Sequence, residues 1–421
     1  MRRLGPALGE RDFALLWFGL LGMGVSMQML EVAIGWEVYT NSHSALNLGL
    51  IGLAEFIPMF VLALPAGHLA DRLSRRLVFG CSLLLSAAVA ILLVLVSTSG
   101  DRSVWPFLAL AMGAGTATAI GTPAARALPP TLVPGDLLES AMTLRSIATQ
   151  GAQVLGPALG GLIYPLSPGV VYGVAAGMCL GASGCVAAMH HSPAVDSAQK
   201  TDTAPGLSSV LAGISFVRHT QILLGAILLD LLAVLFGGAV ALLPLFARSI
   251  LHVGPTGLGI LRASPAVGAL VAAAVLTRRP LGGRAGRTLL VAVGVFGASM
   301  VVFGLSRSFL LSLLALGVSG FVDMFSMNIR ATTVALATPD RLRGRVLAVE
   351  MVFISASNQL GAFESGVAAF LLGAVPAVVI GGGLTIAIAL GWSRLFPALA
   401  GVDKMRDLQP VDEPVGEVLI V

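Results

Sequence analysis

Glu31, Asp230, Asp323 and Glu364, together with Arg262, stand inside long apolar stretches whose neighbouring residues offer them no charge of opposite sign close by, Asp323 excepted. Gly24, Gln28, Glu31 and Gly35 recur at helical spacing, which places a carboxylate in a stripe of polar and small residues suited to a cavity wall. Asp230 has Gly237 two turns away, and Asp323 shares a helical face with Gly320, Met327 and Arg330. The chemistry open to such groups is proton binding and ion exchange. Loss of water disfavours the charged form of a carboxyl group and rehydration restores it, so a proton and a cargo can compete for one site. The plainer reading is structural pairing, Asp323 with Arg330 or Asp230 with Arg262.

A second constellation, Gly67-x-x-x-Asp71-Arg72-x-x-Arg75-Arg76, is a short polar turn between two apolar runs, 45–66 and 77–98. One carboxylate and three guanidinium groups in so few residues can pair with charges on neighbouring helix ends and then release them. That is the physics of a latch.

The elements that carry these groups are membrane spans. Hydrophobic residues make up 56% of the 421 and charged residues 11%, with mean hydropathy +0.93, a composition no soluble domain of this length sustains. Runs of roughly 20 apolar residues, enough for ~30 Å of hydrocarbon, fall at 13–39, 45–66, 77–98, 105–125, 139–164 and 169–189, then at 221–246, 255–277, 287–306, 309–332, 346–372 and 375–396. The expected fold is therefore all-α and polytopic, with twelve spans in two sets of six. The division predicted is an N-terminal bundle over 1–190, a linker over 191–219, a C-terminal bundle over 220–396 and a tail over 397–421. The linker is rich in Ser, Thr and Pro, and its residues 207–218 read as a short amphipathic helix on the membrane surface.

Alternating the loops puts nineteen Lys and Arg residues on the face of the termini and three, Arg102, Arg248 and Arg307, on the other, which predicts cytoplasmic termini. The net charge of +4 is thus topological, and no nucleic-acid partner is expected. Cys81, Cys179 and Cys185 read as packing residues rather than a disulfide or metal set. Met23, Met27, Met29, Met324 and Met327 offer thioethers but lack His and Cys partners in their spans, so no metal site is expected. With no nucleotide or metalloprotease motif, neither catalysis nor a cofactor is expected.

The polar turn at Gly67–Arg76 resembles the signature between helices two and three of the major facilitator superfamily, with Ser74 where a glycine is usual. Further resemblance, in the strings WEVYTNS, GPALGGLIY and RGRVLAVEMVFISASNQLGAFESGVAA, is to the branch that includes the bacterial enterobactin exporter and related drug/proton antiporters. Gly156-Pro157-x-x-Gly160-Gly161 is similar to the second part of the fifth-helix antiporter signature, while Ala152 replaces a glycine of its first part. The resemblance implies two six-helix halves around a central path lined by helices one, four, seven and ten. It directs attention to Glu31, Asp230 and Asp323 as proton-coupling residues, with Gln28, Arg262 and Glu364 beside them. Glu55 is expected at the interface between halves.

The latch is expected to draw on Arg126, Glu139, Arg330, Asp340 and Arg345 as well, since Arg126 and Arg330 occupy corresponding places in the two halves. The resulting expectation is a single-chain, proton-coupled exporter of a siderophore-like or amphipathic drug-like molecule in the bacterial cytoplasmic membrane. An importer or lipid transporter of the same fold, or a non-transporting receptor, stands as the alternative.

Overall fold

The computed structural model describes residues 5–190, 207–278 and 283–403, without the side chains at 63–64, 66–72 and 207–211. All regular structure among them is helical. The first bundle comprises α1 (Arg11–Ser42), α2 (Ala45–Arg72), α3 (Arg75–Thr98), α4 (Trp105–Ala127), α5 (Leu138–Ile163) and α6 (Pro168–Ala187). After α7 (Leu207–His219), the second comprises α8 (Gln221–Gly237), α9 (Gly254–Arg278), α10 (Ala285–Leu305), α11 (Phe309–Ala337), α12 (Asp340–Leu372) and α13 (Ala374–Leu395).

Eleven helices of the described residues are long and apolar enough to cross a membrane. The twelfth, α5, has 26 residues and so reaches about 39 Å, but Glu139, Thr143, Ser146, Gln150 and Gln153 run along one side of it. A side that polar is tolerated in a membrane where it lines a water-filled path.

Local chemistry explains several boundaries. α1 ends at His43, whose left-handed φ of 51° closes the two-residue connection to α2. Ser74 caps α3 by accepting a hydrogen bond from Leu77 N at 3.3 Å, so the departure from the usual glycine supplies an N-cap. The structure adds detail to two expected elements. The seventh span is not one helix over 221–246: α8 stops at Gly237, because Gly237-Gly238 weakens the helix, and the chain continues through a 3-10 turn at Ala239–Leu242 and a π turn at Phe246–Ile250. The short helix expected over 207–218 is present as α7. Its Phe216 and Val217 are buried with Leu223, Val334, Leu342 and Val346, which docks it on the second bundle.

The two bundles touch unequally at their two ends. On the face away from the termini a single apolar cluster runs through both, joining Val32, Ala33 and Trp36 of α1 to Leu243, Phe246 and Leu258. Close crossings reinforce it, for a Cβ placed on Gly366 of α12 would lie 2.6 Å from Gly49 Cα of α2. Towards the terminal face, each apolar cluster belongs to one bundle only. The bundles are therefore sealed at the far face and separately packed at the terminal face.

Candidate functional site

Just below the sealed face lies a cavity of about 330 Å³ between the bundles. Its walls are mostly apolar, with Ile34, Leu48, Ile51, Val234 and Val240. Its polar groups come from four helices. Glu31 on α1 forms an ion pair with Arg262 on α9, and the Gln28 amide, turned to donate, lies 2.9 Å from Glu31 Oε2. Glu55 on α2 accepts a hydrogen bond from Gln359 Nε2 on α12 at 3.1 Å, and Asn358 completes the rim. Both ties cross from one bundle to the other. The Glu31 side chain retains 34% exposure and Arg262 17%, so the pair sits in a wet pocket rather than in the dry interior. Of the stripe read around Glu31, only Glu31 and Gly35 line the cavity, while Gly24 and Gln28 pack against Ala152 and Gly156 of α5. Glu55 both faces the bundle interface and lines the pocket.

A second charged set lies wholly within the second bundle. Asp230 on α8 and Arg330 on α11 form an ion pair with only 9% and 7% of their side chains exposed. Asp323, two turns before Arg330, is exposed and feels the charges of Arg330 and Asp230, as does Glu350 on α12. Among the described residues Arg330 Nε has no hydrogen-bond partner. The pairings read from the sequence are therefore exchanged: Arg330 takes Asp230 rather than Asp323, and Arg262 takes Glu31 rather than Asp230. Helical spacing favoured Asp323 for Arg330 within one span, and the choice of Arg262 for Asp230 joined two spans adjacent in sequence. The tertiary fold instead brings α8 beside α11 and α9 beside α1.

The sealed face carries a third set, which the sequence reading missed. Tyr39 Oη and Ser249 Oγ lie 2.8 Å apart across the bundles, and Arg248 reaches Thr40 while its guanidinium carbon stands 5.9 Å from the centre of the Trp36 ring. Glu37, 7% exposed, accepts a 2.7 Å hydrogen bond from Tyr172 on α6, which fixes α1 within its own bundle. The available signal was a Trp-Glu-x-Tyr-Thr run holding a carboxylate inside an apolar segment.

The remaining expected site residues are dispersed. Gly156 and Gly160 pack against α1 at Gln28 and Met29, while Pro157 and Gly161 abut Gly259 of α9, so the helix-five motif joins a seam within the first bundle to one between bundles. Glu364 is partly buried beside Ser365 and does not line the pocket. At the terminal face the side chains of Gly67, Asp71 and Arg72 lie outside the described residues. Arg75 donates to Ala127 O at 3.4 Å and Arg76 to Val186 O at 2.9 Å, tying α3 to the ends of α4 and α6. Arg126 reaches the Met351 sulfur across the bundles. Glu139 is exposed in a hollow with Asp136 and Thr143, Asp340 pairs with Arg343 at 2.7 Å within the first turn of α12, and Arg345 is exposed.

Solved transporters share this fold. A single-residue mutant of the nucleoside transporter NupG superposes with a TM-score of 0.74 at 13% identity, over 91% of this chain and 100% of that one. A bacterial homologue of the human lysosomal transporter Spinster, inward-facing and occupied, gives 0.69 at 15% identity, over 93% and 97%. In sequence, the chain is 28% identical to the multidrug efflux pump Tap of Mycolicibacterium fortuitum, covering 84% of this chain and 88% of the pump. It is 28% identical to the enterobactin exporter EntS of Citrobacter koseri, covering 92% of each. Residues 4–418 match the model of the transmembrane secretion effector family, so the chain belongs to that family within the major facilitator superfamily, whose members are transporters and not enzymes.

Proposed function

We propose that this protein exports a small organic molecule by proton antiport through alternating access, in the bacterial cytoplasmic membrane and with both termini in the cytoplasm. The observation that carries the reading is the Glu31–Arg262 pair, which ties one bundle to the other beside the cargo-sized pocket. With Glu31 ionised, the pair holds the far face shut and the empty protein does not cross. Either a proton or a cargo molecule that loosens Arg262 removes the tie. Protonation from outside and deprotonation inside then set the direction, because only the cytoplasmic side regenerates the lock. The groups facing Glu31 are Gln28, Glu55 and Arg262, and the first two add no positive charge to compete with the pair. The basic residues concentrated on the terminal face support the orientation, and the efflux activity named for Tap and EntS supports export.

The test is cargo-induced proton release from the purified protein across pH 5 to 9, with proton-driven export followed in everted vesicles. Glu31→Gln is expected to abolish proton-driven export while passive exchange of cargo persists, because the lock is gone but the pocket is intact. If Glu31→Gln and Asp323→Asn each release as many protons as the parent, neither carries the coupling proton.

A further inference from the structure

The pocket contains an acid that its own lining does not pair with a cation. Glu31 and Arg262 neutralise each other, which leaves Glu55. Among the described residues, no ion pair includes Glu55, and the group that hydrogen-bonds its carboxylate is the neutral amide of Gln359. One guanidinium serves two carboxylates, so the cavity carries one negative charge in excess whenever both acids are ionised. Around that charge the walls are aliphatic, from Ile34, Leu48, Ile51 and Val240.

Resting on the export reading above, we infer that Glu55 selects the cargo, and that the cargo is a compact, lipophilic monocation such as an amine or a quaternary ammonium. A single positive charge restores neutrality against Glu55, whereas an anion meets like charge in a partly dehydrated space and a dication leaves one charge unmatched. The aliphatic walls take the apolar body of the molecule. Size points the same way: about 330 Å³ is near the lower end of the ~300–1,000 Å³ range of small-molecule pockets, which favours a compact drug-like cation over a large siderophore. Because Glu55 also feels the charges of Glu31 and Arg262, a cation placed against it repels Arg262 and weakens its hold on Glu31. Cargo entry and release of the inter-bundle tie then become one event.

The experiment is binding to the purified full-length protein in nanodiscs, read by probe fluorescence, with three probes: ethidium, a monocation; propidium, a dication on the same ring system; and fluorescein, an anion. The unmodified protein is expected to bind ethidium most tightly and fluorescein least. Glu55→Gln is expected to weaken ethidium at least about tenfold, the scale of one hydrogen-bonded charge contact, and Glu55→Asp to recover most of that loss. Monodisperse elution of both variants establishes that they are folded, and the probe ranking on the unmodified protein needs no variant at all. Fluorescein binding as tightly as ethidium overturns the inference, as does Glu55→Gln binding ethidium at the parent's affinity. Proton-driven export that depends on Glu31 but carries a neutral or anionic molecule also overturns it, while leaving the antiport reading intact.

Discussion

The two buried charge sets use the same residue types to opposite ends. At Glu31–Arg262 the partners come from different bundles and stand in a wet cavity, which on the proposed antiport reading makes the pair a removable tie between the bundles. At Asp230–Arg330 both partners belong to the second bundle and are almost fully enclosed, so the pair is part of that bundle's framework. Burial makes a pair permanent by raising the cost of leaving either partner alone, and hydration makes it reversible. On the proposed reading, position relative to the bundle interface, rather than depth in the membrane, separates a coupling residue from a structural one.

The largest effect should come from breaking the enclosed pair. Arg330→Met leaves Asp230 uncompensated and should cost roughly 3–5 kcal/mol, seen as a marked fall in the unfolding temperature in detergent and in membrane yield. Arg262→Met is the matched change at the other pair. It should cost only about 1 kcal/mol in the same unfolding measurement while abolishing proton-driven export, and equal destabilisation by the two variants would erase the distinction. A smaller effect is expected at Asp323, which is exposed and feels the charge of Arg330 as well as that of Asp230. Asp323→Asn removes an attraction and a repulsion together and should leave the unfolding temperature nearly unchanged, whereas a direct ion pair with Arg330 would lower it clearly. Smallest of all, Asp340→Asn breaks an exposed i,i+3 pair with Arg343 and should shift stability by no more than ~0.5 kcal/mol.

Much of this was legible in the sequence because a bilayer enforces simple rules. Apolar runs gave the spans, loop charge gave two unlike faces, and the scarcity of intramembrane charges singled out Glu31, Asp230, Asp323, Arg262 and Glu364, of which Glu364 does not line the pocket. Their pairing was not legible, because it depends on which helices the tertiary fold sets side by side. The break in the seventh span was written in Gly237-Gly238 but was masked by the hydropathy around it. Glu55 was read as an interface residue, and only the cavity shows that the interface and the pocket are the same place. Glu37 went unranked because its partner, Tyr172, is contributed by a helix far along the chain.

The central claim is that protonation of Glu31 unlocks the far face. It is tested most directly by the distance between spin labels at Leu166 and Arg307, exposed positions in loops of that face in different bundles, on a background lacking Cys81, Cys179 and Cys185. Protonation neutralises Glu31 and removes its attraction for Arg262, so in the parent the distance should lengthen as pH falls from 8 to 5. In Glu31→Gln it should be long at both pH values. A short distance in Glu31→Gln, with the parent's response to pH, would contradict the account.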